Sequence, residues 1–332
     1  MDLDVLLPFH RSDKFLEDAV YSLSKSQGVS LNVILIDDRI DKSKNLRKLF
    51  QNFEHYKVVE TFGGLGYGKS LEVGSKSLES DVVALFNSDD LVDPLRFRKQ
   101  LIQLNRSDLS ITNMQRISEA NAKCRSLAGK MTAETYNQVF LLLGSYGANA
   151  TWCARREWWD HNVFFDSLES LDWRIALTSF QNTVISYLPE NLYFYRKHIN
   201  QITANKSIKQ KDLFPIFDLW EKLARDLGLG SFSYDTFSIF ALPWNKSVKI
   251  NFDELQSFVS QIQKYLYGVD QDVSKNVQQL IARRFLFAIQ NSGRISDKLL
   301  SLFAGRSQIA QLTNEFSSEV LHQSFLLSKL LR

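Results

Sequence analysis

Acidic residues gather behind two apolar runs: Val33–Ile36 leads into Asp37-Asp38, and Val82–Phe86 leads into Asn87-Ser88-Asp89-Asp90. A carboxylate at the second turn, Asp89 or Asp90, suits a hard divalent cation, Mn2+ or Mg2+, that also takes phosphate oxygens. The plainer reading is a turn of Asx side chains. Asp38 could accept from the ring N–H of a pyrimidine, or simply cap a helix. Asp172 heads Asp172-Trp173-Arg174-Ile175-Ala176-Leu177, where an acid is both a helix cap and an exposed base for a hydroxyl proton. His198 follows Arg196 and Lys197 and could touch a diphosphate, or be an ordinary surface histidine. Transfer of a group from a nucleotide diphosphate needs a base pocket, a metal on the diphosphate, a base for the acceptor hydroxyl and cations for the departing charge. Each need has a candidate here. The aromatic cluster Trp152, Trp158, Trp159, Phe164, Phe165 and Trp173 could stack on a sugar ring, although its greater part reads as core.

These residues need elements to hold them. The first ninety positions alternate short apolar runs with amphipathic stretches, the rhythm of an α/β layer with parallel strands. Strands are expected at Asp4–Leu7, Val33–Ile36, Lys57–Glu60 and Val82–Phe86, with helices near Lys14–Ser24, Asn45–Asn52 and Lys69–Leu78. In such sheets ligands bind beyond the carboxyl ends of the strands, where both acidic pairs fall. Further on, a helix is expected from Pro94, a strand at Leu109–Thr112, a long loop over Met114–Lys130, and a helix over Thr132–Leu143. Extended Thr151–Ala154, helical Leu171–Phe180 and extended Thr183–Tyr187 and Leu192–Tyr195 follow. After about Ser207 apolar residues recur at helical spacing in Asp212–Leu227, Phe252–Tyr267, Ser274–Asn291 and Gln308–Leu331, with a hinge over Gly228–Ser247. A helical module over 207–332 is therefore expected behind an α/β domain over 1–206.

Composition narrows the class. The 332 residues carry 40 Lys and Arg against 37 Asp and Glu, a net charge of +3 that gives no basis for a nucleic-acid partner. Cys124 and Cys153 lack metal-ligand spacing, which favours a reducing, cytoplasmic setting. The acidic start Met1-Asp2-Leu3-Asp4 is unlike an export signal, and no apolar run reaches spanning length, so any membrane contact is expected to be peripheral. A rival is written over Gly63-Gly64-Leu65-Gly66-Tyr67-Gly68-Lys69-Ser70, which satisfies the phosphate-loop pattern and would suit a nucleotide phosphohydrolase or kinase. It leaves Asp172 and His198 without roles. A non-catalytic sugar-nucleotide-binding module is the other alternative.

From Asp4 to Thr203 the order of these pieces resembles the family 2 glycosyltransferases of the GT-A fold, with their Rossmann-like mixed sheet flanked by helices. Val5-Leu6-Leu7-Pro8-Phe9-His10 looks like the family's first strand, Leu35-Ile36-Asp37-Asp38 like its base-binding strand end, and Gly66 to Gly74 like its donor loop. Phe86-Asn87-Ser88-Asp89-Asp90, followed by Pro94 and Arg96, is similar to its metal motif. Leu171-Asp172-Trp173 resembles its acidic pair, and Tyr195-Arg196-Lys197-His198 a closing segment at the pyrophosphate. The resemblance implies an inverting transfer from a nucleotide-sugar, a UDP-sugar in the first place, to a glycan or lipid-linked acceptor in surface polysaccharide synthesis. Its site residues would be Asp172 as base, Asp89 and Asp90 on the metal, and Pro8, His10, Asp38, Gly66, Lys69, Asn87, Arg196 and His198 on the donor. The helical module would then serve membrane docking or self-association as a homo-oligomer. Asn87, Leu171 and Glu72 depart from the family pattern, which has an aspartate, an acid and commonly an asparagine there.

Overall fold

The computed structural model describes residues 2–10, 14–42, 45–124, 142, 148–163, 165, 171–179, 182–199, 210–241, 251–267, 277 and 281. The chain divides into two compact units, one of residues 1–133 and 147–213, the other of 134–146 and 214–332.

The first unit is built on a sheet of strands β1 (Asp2–Phe9), β2 (Ser30–Asp37), β3 (His55–Glu60), β4 (Val82–Leu85), β5 (Leu91–Val92), β6 (Leu109–Ile117), β7 (Trp152–Arg155) and β8 (Ile185–Arg196), in the order β3-β2-β1-β4-β7-β6-β8-β5. Strands β1 to β4 are parallel, β7 runs antiparallel between β4 and β6, and β5 closes the far edge antiparallel to β8. The chain leaves β1 toward β2 on one side and returns to β4 on the other, so a switch point opens at the carboxyl ends of β1, β2 and β4. Those ends carry His10, Asp38 and Asn87–Asp90.

Apolar residues on both faces of β1 explain its central place. Leu3, Val5, Leu7 and Phe9 join Leu16, Ala19, Val20 and Leu23 of helix α1 (Phe15–Leu23) in one core cluster. On the opposite face helix α2 (Tyr67–Ser75) approaches so closely that a Cβ on Gly74 would lie 2.3 Å from Ile36 Cδ1. Helices α3 (Arg96–Gln103), α4 (Arg156–Asn162) and α5 (Leu171–Ser179) complete the layers. Under α3 the buried Arg96 guanidinium donates to Gln100 Oε1 and to the carbonyls of Leu85 and Trp152, tying β4 to β7. Burial lowers its pKa to about 10.

In the second unit, α6 (Gln210–Asp226, its first turn belonging to the first unit), α7 (Tyr234–Ala241) and α8 (Phe252–Tyr265) pack around rings. Trp220 stands 5.2 Å from Phe237 and 5.7 Å from Phe258, centroid to centroid. Among the described residues no helix is long and apolar enough to cross a membrane.

Several expectations need correction. The helix expected at Asn45–Asn52 is one 3-10 turn, Arg47–Phe50. The helix expected from Pro94 starts at Arg96, because Asp93 first forms a turn, its Oδ1 accepting from the Leu95 N–H. Met114–Ile117, read as loop, continues β6 against β8. The two extended pieces around Pro189 are one strand, with Pro189 and Glu190 bulged out opposite Thr112 and Asn113; a proline is tolerated at such a bulge. The hinge read over Gly228–Ser247 contains α7. The helices expected at Thr132–Leu143, Ser274–Asn291 and Gln308–Leu331 lie outside the described residues, apart from Leu142, Val277 and Ile281, and so does Thr203.

Candidate active site

The turn after β4 separates two acids that stand side by side in sequence. Asp89 remains partly exposed, and its Oδ2 lies 2.9 Å from His198 Nε2. Asp90 is buried completely. Its Oδ1 accepts from the Arg196 N–H at 2.7 Å, and its Oδ2 from the Tyr193 hydroxyl and from Asn87 Nδ2 at 3.1 Å. Burial, reinforced by the charge of Asp89, holds the Asp90 carboxyl above the ordinary range. Asp90 is thus occupied by protein donors, and of the two acids expected on a metal only Asp89 has an open side.

Arg196, expected at the diphosphate, has no exposed surface. Its Nε donates to the Asp89 carbonyl at 2.7 Å, Nη1 to the Glu119 carbonyl and the Asn121 side chain, and Nη2 to Asp18 Oδ2 at 3.2 Å. The guanidinium also sits over the Phe15 ring at 4.5 Å. It holds the turn of Asp89 and Asp90 from behind. His198, the neighbour that does face Asp89, packs its ring 4.8 Å from Phe15.

Asp38 has a similar inward role. Its Oδ1 accepts from the Thr61 hydroxyl at 2.5 Å and from the Leu65 N–H at 3.0 Å, and its Oδ2 from the Gly66 N–H at 3.0 Å. Burial pushes this carboxyl up, yet the hydrogen bonds from Thr61, Leu65, Gly66 and Ser70 outweigh it and leave it below the ordinary value. Gly63, Gly64 and Gly66 all take positive φ, a conformation that costs glycine little. Here lies the correction to the phosphate-loop reading: the backbone amides of Leu65 and Gly66 cradle an anion, but that anion is Asp38. Lys69, the lysine of that pattern, pairs with Glu72 at 2.8 Å.

Asp172 is half-buried in the first turn of α5, its Oδ1 accepting from the Trp173 N–H at 2.9 Å. Burial raises its pKa, against the pull of the backbone N–H groups of Trp173 and Asp172 itself. A carboxylate so raised is a stronger base than an ordinary surface acid. Tyr67 is the first residue of α2. Burial and then the negative charge of Asp172 raise this phenol, and the charges of Asp89 and Asp90 add to the effect. Asn149 Nδ2 donates to the Tyr67 hydroxyl at 2.9 Å. The 3-10 turn of Asn149–Thr151 leads directly into β7, the neighbour of β4.

Of the remaining candidates, Pro8 is half-buried near the end of β1, His10 and Gly66 are exposed, and Asn87 and Lys69 are half-buried. Tyr67, Asn149 and Tyr193 were not singled out from sequence. Tyr67 sits inside the glycine loop, where an aromatic among glycines was the available signal; Asn149 carries none. The partly exposed Asp89 carboxylate and the His198 imidazole fit a hard divalent cation, which takes most of its ligands from water and phosphates and needs only one or two protein groups. Larger His, Cys, Asp and Glu clusters are not found among the described residues.

A mixed sheet of this strand order, flanked by helices and with acids at the switch point, is that of the GT-A fold. Likeness to solved structures agrees on the fold. Residues 1–349 of S. aureus TarS in complex with UDP-GlcNAc match with a TM-score of 0.57 at 17% identity, over 88% of this chain and 89% of that one. The same TarS region with UDP gives 0.54 at 16%. A longer TarS structure is covered over 54% of its length. No curated protein sequence matches. The family model described as Glycosyl transferase family 2 matches residues 4–161, and that segment is a family 2 glycosyltransferase domain.

Proposed function

We propose that the chain is an inverting, metal-assisted transferase that moves a sugar from a UDP-sugar to a hydroxyl of a glycan or lipid-linked acceptor in surface polysaccharide synthesis. One observation carries the reading: in the turn at the carboxyl end of β4 a partly exposed Asp89 carboxylate stands 2.9 Å from His198 Nε2, at the switch point of the sheet. The choice of uridine follows TarS, which shares the fold and is seen with UDP-GlcNAc. Asp172 takes the proton of the acceptor hydroxyl as that oxygen bonds to the anomeric carbon. The bond from that carbon to the phosphate oxygen breaks on the opposite face, and its electron pair leaves with the diphosphate. A divalent cation held by Asp89 and His198 would stabilise the departing charge. Asn87 orients the turn through Asp90, while Asp38 and Gly66 shape the loop beside the donor. The helical residues 207–332 are assigned to self-association or docking at a membrane-bound acceptor.

Hydrolysis of UDP-GlcNAc and UDP-glucose with and without Mn2+ tests the reading. Metal-dependent release of UDP supports it; turnover of ATP alone supports a phosphohydrolase, and binding without turnover supports a binding module. Truncation after Asn314 tests the docking assignment, which expects a folded, active protein with altered mass in light scattering or lost vesicle binding.

A further inference from the structure

We propose that the Tyr67 hydroxyl, fixed by Asn149, donates a hydrogen bond to a ring hydroxyl of the transferred sugar and so selects the donor. The inference rests on the donor-site reading above and adds the residue that distinguishes one sugar from another. Gly66, at φ +84°, turns the chain into α2, and its N–H is anchored on Asp38, so Tyr67 leaves a fixed point. At the other end of the side chain, Asn149 fills an acceptor position of the phenol oxygen. The phenolic proton is then the group's remaining donor.

That proton does not leave at working pH, because burial and the surrounding carboxylates hold the phenol above its ordinary range. Tyr67 is therefore a permanent neutral donor among acids and is unsuited to act as a base. Its location follows from the displacement itself. The attacking oxygen and its base lie on one side of the anomeric carbon, and the diphosphate with its cation on the other. Asn149 opens the turn that enters β7, and β7 runs antiparallel beside β4, so its bond to the Tyr67 hydroxyl holds that hydroxyl at the carboxyl end of β4, beside the turn that carries Asp89 and alongside the sugar ring. A ring hydroxyl there meets a fixed donor, whereas an analogue lacking it leaves that donor unpaired, and polar sites discriminate by this asymmetry.

The test uses the full chain with Mn2+, UDP-glucose, and its 3-, 4- and 6-deoxy analogues, with UDP release as the readout. Wild type should lose roughly 10-fold in kcat/KM on one analogue, the scale of one hydrogen bond left unmade. Tyr67→Phe, which keeps the ring, should lose a similar factor on UDP-glucose, no longer distinguish that analogue, and bind UDP as wild type does. Asn149→Ala should weaken the same discrimination, and the double variant should be no worse than Tyr67→Phe. Equal discrimination by wild type and Tyr67→Phe across all analogues overturns the inference, as does equal weakening of UDP and UDP-glucose by Tyr67→Phe. Failure of wild type to turn over both these donors and UDP-GlcNAc defeats the donor-site reading itself, and this inference with it; turnover of UDP-GlcNAc alone moves the same comparison to its deoxy analogues.

Discussion

Replacing Asp38 by asparagine probes whether the carboxylate organises the glycine loop. The substituted side chain could keep one carbonyl oxygen for Thr61 and the Leu65 N–H, but it would set an NH2 group against the Gly66 N–H that Oδ2 now accepts at 3.0 Å. One hydrogen bond to a charged group is lost, about 1.5–3 kcal/mol, while the N–H of the exposed Gly66 can turn to water. Relaxation of the loop reduces this, so a loss of roughly 1–2 kcal/mol is expected. Urea denaturation measures it, and amide exchange at Leu65 and Gly66 locates it. The same contact sets a pH dependence. Because the Asp38 pKa is lowered in the fold, its stabilisation is complete above the unfolded value near 3.8 and is lost as pH falls through the folded one. Asp38→Asn should flatten that acid limb. Wild-type stability of the variant together with unchanged exchange at both amides would refute the assignment, whatever happened to UDP affinity.

Asp172→Asn should cut turnover by about 10²–10⁴-fold with donor affinity little changed; near-normal turnover, or a product retaining the donor's anomeric configuration, counts against the base assignment. Since burial raises the Asp172 pKa, the rate of wild type should fall on acidification at a pH above that of an ordinary aspartate, and a profile limb at the ordinary position would contradict this. Asp89→Ala and His198→Ala should each weaken Mn2+ binding read by electron paramagnetic resonance, an outcome not expected of Lys69→Ala. Gly74→Ala should destabilise by about 1–2 kcal/mol, overpacking against Ile36 costing up to ~3 and helix propensity returning ~1. Adding Ile36→Val, which removes the clashing Cδ1, should recover part of that loss, and strict additivity in melting experiments would argue against the clash.

The parallel half of the sheet was legible because its strands are apolar runs punctuated by acids and glycines, and burial on both faces leaves little else that such runs can do. The second half was harder. Pro189 and Glu190 fall in the gap between the two expected extended pieces, yet the strand continues through it because the bulge sets these two residues outside the pairing. The candidate acids were visible as types at strand ends, but their orientation was not. Asp89 and Asp90 differ by one residue and by an almost complete change of environment, since neighbouring side chains after a strand point to different sides. Arg196 illustrates the same limit: a cation beside a histidine suggests a ligand, and only the fold reveals that its partners are a carbonyl, a loop and a helix.

The way Asp90 is buried bears on how the chain is made. Its acceptor capacity is met largely by Tyr193 and Arg196, which leave the ribosome roughly a hundred positions after it. Until they emerge, the carboxylate of an otherwise formed β1–β4 layer has water as its partner in place of the Tyr193 hydroxyl and the Arg196 N–H, and the edge of β4 awaits β7. A nascent chain halted before residue 193 therefore exposes a charged turn and an unpaired strand. Domain synthesis proceeds at about 5–20 residues per second, so this interval lasts on the order of 5–20 seconds, and it is during translation, more than in the finished enzyme, that the fold is open to chaperones and to aggregation.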